Sequence, residues 1–288
     1  MAVVPFVGTE ALAAGFVTHY GLRTRHDAVH RNVYVPRGHT LSPVDKAVAA
    51  WLWSRREATL AGLSAAAMHG SKWIDARLPA ELNRRSRDKT DGIVLHSDEL
   101  SSDEMTTVRG IPTTTPGRTA FDLGRRYGLT LAVIRLDALM QASALKTSDI
   151  PIDRRRGARG LAQLRKAVAL ADAGAESPQE TRTRLVLTAA GLRPRRQIDV
   201  YDRFGDHVGR IDMGWNQWKV GVEYDGEQHW TDPARRTRDI DRLAELEASG
   251  WRIIRVSAEM LRYRPHTIVE RTRAALHAAG WSSVDLLT

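Results

Sequence analysis

Cysteine is absent from the 288-residue sequence, which excludes disulfide bonds and thiolate metal sites. Long apolar runs are also missing, since none approaches the ~18–20 residues that a membrane helix requires. The first residues, from Met1 to Phe6, lack the basic region and apolar core of a signal peptide. These absences predict a cytoplasmic protein that does not associate with membranes.

Lysine is scarce, because only six of the 43 basic residues are lysine and the others are arginine. The net charge is nevertheless +9, and the pI is near 10.2. Residues 1–175 hold 25 basic and 17 acidic residues, so +8 of the +9 lies in the first part of the chain. Such basicity favours phosphate-bearing partners through counterion release. Arginine-rich codon usage is the alternative source of the excess.

The length suits two compact domains, and 42 % hydrophobic with 27 % charged residues is typical of a globular protein with real cores. We predict a winged-helix-like segment over 1–40, a helical and strand module over 41–173, and a last domain over 176–280. Residues 173–175, Ala-Gly-Ala, are the predicted hinge. The expected class is α/β, or α+β when the whole chain is considered.

In the first part, apolar spacing and turn residues predict a short helix followed by a strand or small wing over 27–38. Helices are then predicted at 43–54 and 64–69, and strands at 80–83 and 92–96. Thr115 and Pro116 are typical of a helix start, and this helix should reach Gly128. Two further helices are predicted over 130–144 and 157–173.

The last domain is predicted to run helix, three strands, helix, strand, helix. Ser177 and Glu180 form a capping-box pattern at the first helix, which should continue to Gly191. The strands are predicted at 197–201, 207–215 and 219–224, followed by a helix from Asp232 to Gly250. An apolar strand at 251–256 and a helical region at 259–279 complete the domain.

Carboxylates gather in the predicted strands of this domain. Asp212 lies on the second strand, while Glu223 and Asp225 lie two residues apart on the third and therefore share one face. Glu180, in the first turn of the preceding helix, can add a fourth carboxylate. Like charges this close repel one another unless a cation compensates, and carboxylate oxygens suit Mg²⁺ or Mn²⁺. We therefore predict a metal site at Asp212, Glu223 and Asp225; simple solvation and helix capping are the structural alternative.

These blocks resemble the PD-(D/E)xK nuclease superfamily, and within it the group similar to very-short-patch repair endonucleases. The resemblance covers roughly residues 176–278. It is carried by the following blocks: 177–180 (SPQE), 210–212 (RID), 222–229 (VEYDGEQH), Asp239 with Arg242, and 250–255 (GWRIIR). It implies a metal-dependent nuclease in which Asp212 and Glu223 bind the metal, Glu180 supports them, and His229 assists the water or the phosphate.

One position departs from that motif, because Asp225 stands where the motif has its lysine. A carboxylate cannot stabilise the developing phosphorane charge as an ammonium does. Lys219 lies four residues, ~13 Å of strand rise, from Glu223 and is a poor substitute. His229 or an arginine within 235–238 is the predicted replacement. The alternative is a domain that binds DNA without cutting it.

The first part resembles AbiEi-type antitoxins over roughly residues 11–144, through 60–70 (LAGLSAAAMHG) and 110–123 (GIPTTTPGRTAFDL). This resemblance implies a winged helix-turn-helix before a helical and strand module, and a role in repression or toxin neutralisation. Before the wing at 32–35 the chain has room for one or two short helices. Arg118 and Asp122 are interpreted as an i,i+4 ion pair on a helix face.

Two hypotheses follow. The first is a DNA-acting, metal-dependent endonuclease; the second is a non-catalytic DNA-binding regulator or antitoxin built on an inactive nuclease fold. RNA stays open as a substrate, a cognate toxin as a protein partner, and a homodimer as the assembly. The basic residues predicted to contact phosphates, with solvated loops as the alternative, are Arg84, Arg85, Arg87, Arg154, Arg155, Arg156, Arg235 and Arg236.

Overall fold

The structure is a computed structural model that describes residues 5–85, 90–153, 157–226 and 233–282; for residues 233–236 it describes the backbone but not the side chains. The chain forms two compact units, Met1–Ala173 and Gly174–Thr288. No helix in the described ranges is long and apolar enough to cross a membrane.

The first unit begins with a small three-stranded antiparallel sheet and two short helices. Its elements are β1 (Phe6–Val7), α1 (Gly8–Ala13), α2 (His19–Arg25), β2 (His26–His30) and β3 (Val33–Pro36), with strand order β1-β3-β2. Thr18 caps α2 by accepting a hydrogen bond from the Gly21 N–H at 3.0 Å. Two helices, of six and seven residues, precede the hairpin, where one short helix was predicted before a strand or small wing.

A second, five-stranded sheet follows in this unit. Its elements are α3 (Pro43–Trp53), β4 (Thr59–Leu60), α4 (Gly62–Met68), β5 (Ala80–Asn83), β6 (Ile93–His96), β7 (Met105–Val108) and β8 (Ile111–Thr114), with strand order β6-β5-β4-β8-β7. The strands β5 and β6 were predicted from sequence, whereas β4, β7 and β8 were not. These three are short or rich in threonine, and they pair within the sheet without a clear apolar alternation.

Three helices complete the unit: α5 (Pro116–Arg126), α6 (Leu129–Ser143) and α7 (Leu161–Leu170). The helix start at Thr115 and Pro116 is confirmed, since the Thr115 hydroxyl accepts from the Arg118 N–H at 3.4 Å. The predicted start of the last helix at residue 157 is wrong. Gly157 and Gly160 both have φ of +88°, and this left-handed backbone delays the helix to Leu161.

The second unit has the predicted α-βββ-α-β-α order, and its closing helical region is split at Pro265. Its elements are α8 (Pro178–Ala189), β9 (Arg195–Tyr201), β10 (His207–Trp215), β11 (Val220–Asp225), α9 (Pro233–Ala248), β12 (Arg252–Ser257), α10 (Ala258–Tyr263) and α11 (Pro265–Ala278). The sheet order is β12-β11-β10-β9, and β11 and β12 run parallel with Glu223 paired to Arg255. The mixed α+β class is confirmed.

Both faces of this sheet are covered. A larger apolar cluster, which includes Val222, Ile254 and Leu276, packs beneath α8, α10 and α11. A smaller cluster, which includes Ile211 and Leu246, packs beneath α9. Because α9 covers β10 and β12 from this second side, its polar residues come to lie over the charged end of β11.

Candidate active site

A cleft of about 510 Å³ opens between the charged end of β11 and helix α9. Eight of its nine lining residues carry ionisable charges, four acids and four arginines, and Tyr224 is the ninth. The charged residues are Arg210, Asp212, Glu223, Asp225, Arg238, Asp239, Arg242 and Arg255. The sequence-predicted Asp212, Glu223 and Asp225 therefore share one cleft.

Glu223 is the most buried carboxylate of the cleft, with 7 % of its surface exposed. Arg242 of α9 donates to both of its oxygens, from Nη1 to Oε1 at 2.8 Å and from Nη2 to Oε2 at 2.9 Å. This bidentate, charge-assisted pair is the strongest kind of side-chain contact between these groups. It raises the pKa of Arg242 above its usual range.

Asp239 lies one helical turn before Arg242 and holds it from behind. Arg242 Nη2 donates to Asp239 Oδ1 at 2.9 Å, an i,i+3 pair along α9. Arg255 Nη2, from β12, also reaches Asp239, at 3.3 Å from Oδ2. The arginines of α9 and β12 are thus joined through one carboxylate. Asp239 and Arg242 were recognised from sequence as part of a pattern but were not predicted as site residues.

Asp212 joins two strands through its side chain. Its Oδ2 accepts a hydrogen bond from the backbone N–H of Tyr224 on β11, at 2.9 Å. Burial is the main cause that raises the pKa of Asp212 to about 7, and the nearby charges of Glu180 and Glu223 add to this rise. Asp212 forms no ion pair with any residue that the structure describes.

The Glu180 side chain does not accept the hydrogen bond that the predicted capping box requires of it. Ser177 Oγ accepts from the Glu180 N–H at 3.1 Å, which is one half of the predicted capping box. The Glu180 carboxylate does not complete that box: its Oε2 accepts from the Glu176 N–H at 2.9 Å and from Gln197 Nε2 at 3.2 Å. Burial raises the pKa of Glu180. Gln197, on β9, is a neighbour that sequence reasoning missed.

Asp225 is paired with an arginine from the neighbouring strand. Arg255 Nη2 lies 2.7 Å from Asp225 Oδ2, so a guanidinium reaches the position where the motif lysine is replaced. The Lys219 side chain is engaged elsewhere, because its Nζ donates to the Ser249 carbonyl at 2.8 Å. Its backbone is left-handed, with φ of +48°, and it lies just before β11 begins. The expectation that Lys219 is a poor substitute for the motif lysine is therefore supported.

Comparisons with known proteins agree with this geometry. The family REase_MTES_1575, which is restriction-endonuclease-like, matches residues 180–276 and so includes Glu180, Asp212, Glu223, Asp225, Asp239, Arg242 and Arg255. The C-terminal domain is nuclease-like. This match covers the second unit only; the resemblance of the first unit to AbiEi-type antitoxins and the narrower very-short-patch group stay predictions.

Two relatives come from Mycobacterium tuberculosis: the uncharacterized protein Rv2248 of strain H37Rv and the uncharacterized protein MT2308 of strain CDC 1551. Each is 28 % identical over 193 residues, which is 66 % of this chain and 70 % of the relative. No solved structure matches the chain.

The donor chemistry of the nuclease-like domain suits a hard divalent cation, because Asp212, Glu180 and Glu223 are carboxylates, and the charges of Glu180 and Glu223 raise the pKa of Asp212. Their present arrangement is not a ready-made metal site. Within the described ranges, no three histidine or carboxylate side chains are grouped so that they could hold a metal ion. Arg242 takes both oxygens of Glu223, and Arg255 takes Asp225.

Several predicted residues lie outside the described part of the chain. They are His229 and the basic residues Arg87, Arg154, Arg155 and Arg156. The side chains of Arg235 and Arg236 also lie outside it. The predicted roles of all these residues stay predictions.

The two described phosphate candidates of the first unit differ from each other. Arg84 is half-buried, with Nη2 2.8 Å from Glu57 Oε2 and Nη1 3.3 Å from the Ser54 carbonyl oxygen. Its neighbour Arg85 is exposed. Arg85 therefore retains the exposure that a phosphate contact needs, while Arg84 is engaged within the protein.

The predicted ion pair between Arg118 and Asp122 is confirmed, with 3.0 Å between Nε and Oδ2. Both side chains are only 1 % exposed, so the helix face that carries the pair is buried. Arg118 also contacts Glu104 at 3.0 Å, and Asp122 contacts Arg125 at 2.9 Å. The pair belongs to a buried ionic cluster inside the first unit.

Proposed function

We propose that this protein hydrolyses phosphodiester bonds in DNA, using Mg²⁺ or Mn²⁺ held by Asp212 and Glu223. The observation that carries the proposal is that Asp212 from β10 and Glu223 and Asp225 from β11 line one cleft. The charges of Glu180 and Glu223 raise the pKa of Asp212 there. The cleft beside them carries four arginines, which suits a polyanionic substrate. The restriction-endonuclease-like match supports the same reaction class.

In this mechanism the metal supplies charge neutralisation and an activated water when it is bound. Asp212 and Glu223 would hold it, Asp225 would be a further ligand, and Glu180 would support Asp212. Without a cation, Asp212 keeps a proton up to about pH 7. That proton resides on Oδ1, because Oδ2 accepts from the Tyr224 N–H. His229 assists the water or the phosphate.

The first unit, in this proposal, brings the nuclease-like domain to DNA. Its excess positive charge and its helix-and-wing segment support sequence-independent contact with phosphates. The resemblance to AbiEi-type antitoxins adds a cognate toxin as a candidate protein partner. RNA as substrate and a homodimer as assembly belong to the same proposal as alternatives to be tested.

A second candidate function is DNA binding without cleavage. It is favoured by two observations: both oxygens of Glu223 are engaged by Arg242, and Asp225 replaces the motif lysine. A regulator or antitoxin with an inactive nuclease fold would have no need to release Glu223. The two candidates differ in whether the protein binds a divalent metal and cuts.

The test is cleavage of supercoiled, linear and single-stranded DNA, and of RNA, in Mg²⁺ or Mn²⁺. We expect Glu223→Gln to lower the rate at least about 100-fold, because even outer partners of metal ligands change metal affinity by about 10–100-fold. Glu259→Gln is the matched control, since Glu259 is an exposed carboxylate paired with Arg264 in the same domain. Nucleic-acid binding without cleavage in any metal, equal in wild type and Glu223→Gln, would establish the regulator instead.

A further inference from the structure

The guanidinium of Arg242 lies where a metal ion would have to bind Glu223. Its two nitrogens contact the two carboxylate oxygens at 2.8 and 2.9 Å. A metal ion needs lone pairs of the same oxygens, and its positive charge repels the guanidinium at such a distance. The two cations therefore compete for Glu223, and full engagement of one requires the other to withdraw.

Arg242 has a second anchor that keeps it in the cleft when it withdraws. Its Nη2 is also bound to Asp239 Oδ1 at 2.9 Å, one turn earlier on the same helix. Asp239 is in turn held by Arg255 at 3.3 Å. A guanidinium that loses Glu223 but keeps Asp239 stays at the cleft wall, facing the same space that Arg210 and Arg238 line.

The displaced guanidinium would meet an anionic ligand there. An arginine presents several N–H donors in a planar fork that matches a phosphate. Arg242 is only 29 % exposed, so its release from Glu223 leaves a poorly solvated cation that needs a new partner. A phosphodiester entering with the metal would satisfy it.

We propose that Arg242 exchanges Glu223 for a phosphate of the substrate when a divalent metal enters the cleft. In the resting protein Arg242 thereby blocks the metal site. In the complex with substrate it supplies the positive charge that the motif would take from its lysine, which is Asp225 in this chain. This inference rests on the proposed function. It goes beyond that function in making metal binding and nucleic-acid binding mutually reinforcing through one side chain.

The first measurement is Mn²⁺ affinity by calorimetry on the full chain without nucleic acid. Arg242→Gln removes the competitor, and we expect it to bind Mn²⁺ at least about tenfold more tightly than the wild type. Arg242→Lys keeps a charge but cannot bond both oxygens as a fork, and it should fall between the two. Arg264→Gln is the control, since it removes an arginine from an exposed pair with Glu259 in the same domain.

The second measurement is the affinity for a DNA duplex, with and without Ca²⁺ as the hard, oxygen-binding cation. With Ca²⁺, Arg242→Gln should bind the duplex about tenfold more weakly, because the released guanidinium is missing. Without a divalent cation, Arg242 is held by Glu223, and the same variant should bind within about twofold of the wild type. Opposite effects on metal and DNA affinity are not expected of a residue that only maintains the fold.

The outcomes separate this inference from the proposed function. Equal Mn²⁺ affinity in wild type and Arg242→Gln would refute the exchange while leaving the metal-dependent nuclease intact. Weaker Mn²⁺ binding in Arg242→Gln would also refute it, since Arg242 would then be a support of Glu223. No Mn²⁺ binding by any variant would end both proposals. If Arg242→Gln does not fold by circular dichroism, the Arg242→Lys titration decides.

Discussion

Each of the two units contains a cluster of arginines and carboxylates, and the two clusters differ in how completely their charges are paired. In the first unit, Arg118 is 1 % exposed and contacts Glu104 and Asp122 at 3.0 Å. In the second, Arg242 and Arg255 line an open cleft of about 510 Å³. The same residue types thus form a closed structural cluster in one unit and an accessible site in the other.

Two buried carboxylates make the contrast in electrostatic terms. Burial by itself raises the pKa of Glu81, but hydrogen bonds from His96, Tyr127 and the Leu63 N–H outweigh it and lower the pKa. Burial also raises the pKa of Asp212, and the neighbouring acids raise it further, to about 7. Glu81 is stabilised as an anion by several fixed donors, whereas the Tyr224 N–H that Asp212 accepts does not outweigh burial and the neighbouring acids. A carboxylate left in that state is typical of functional sites.

The largest effect should come from breaking the closed cluster. Arg118→Met keeps much of the side-chain volume but removes the 3.0 Å arginine contact of the buried Glu104 and one of the arginine partners of the buried Asp122. We expect a loss of about 3–5 kcal/mol in the stability of the first unit, as for other buried pairs that lose one member. Hydrogen exchange measured on α5 and α6 reports this unit separately from the nuclease-like domain.

The control for this prediction is Arg37→Met, which removes an arginine of the same unit from an ion pair with Asp27 whose side chains are 57 % and 50 % exposed. Exposed pairs contribute about 0–1 kcal/mol, so this variant should remain close to the wild type. If Arg118→Met were equally mild, the first cluster would not be the structural element that its burial indicates, and the contrast between the units would fail.

A smaller effect should appear in the pH dependence of the second unit. The pKa of Asp212 is about 7 in the folded protein against 3.8 as its ordinary value, so the folded state binds this proton more tightly. In metal-free buffer, the tighter binding of this proton by the folded state therefore contributes fully to stability below about pH 4. This contribution is lost as the pH rises through about 7. Asp212→Asn removes this loss and should make the domain more stable than the wild type at pH 8.

One unit of pKa shift corresponds to about 1.4 kcal/mol, and we expect a gain of at least that size from Asp212→Asn at pH 8. Urea unfolding of the two proteins at pH 5 and pH 8 measures it. Glu259→Gln, which removes an exposed carboxylate paired with Arg264 in the same domain, is the control. Parallel pH profiles for wild type and Asp212→Asn would mean that Asp212 is compensated as fully as Glu81.

The contrast between the units also shows what sequence can predict. In the second unit each strand carries strong apolar residues between clear turn signals, and β10 spans residues 207–215, as predicted. In the first unit β4 has two residues and β8 is threonine-rich, so neither has a periodicity that identifies a strand. Their pairing comes from tertiary contacts, which a local pattern does not contain.

The candidate site was predicted to a similar, partial extent. The grouping of Asp212, Glu223 and Asp225 follows from strand alternation and hairpin pairing, which are local rules. The bidentate grip of Arg242 on Glu223 depends on how α9 packs across the sheet. A signal was present, because Asp239 and Arg242 are spaced i,i+3 on one helix face. From their spacing alone, Asp239 and Arg242 would be predicted to form an ion pair on the helix surface. Arg255 reaches Asp225 through the parallel pairing of β11 and β12, which a local pattern does not contain.

The smallest predicted effect concerns two adjacent arginines of the first unit, Arg84 and Arg85. Arg84 is engaged by Glu57 and Ser54, whereas Arg85 is exposed and available to a phosphate. If Arg85 contacts one phosphate, Arg85→Ala should reduce the slope of log affinity against log salt by about 0.9 for duplex DNA. Arg84→Ala should leave the slope unchanged and lower stability instead. Fluorescence anisotropy between about 50 and 200 mM salt covers the range in which such slopes are measured. A change in slope for Arg84→Ala but not Arg85→Ala would mean that DNA binding rearranges this segment and breaks the pair with Glu57.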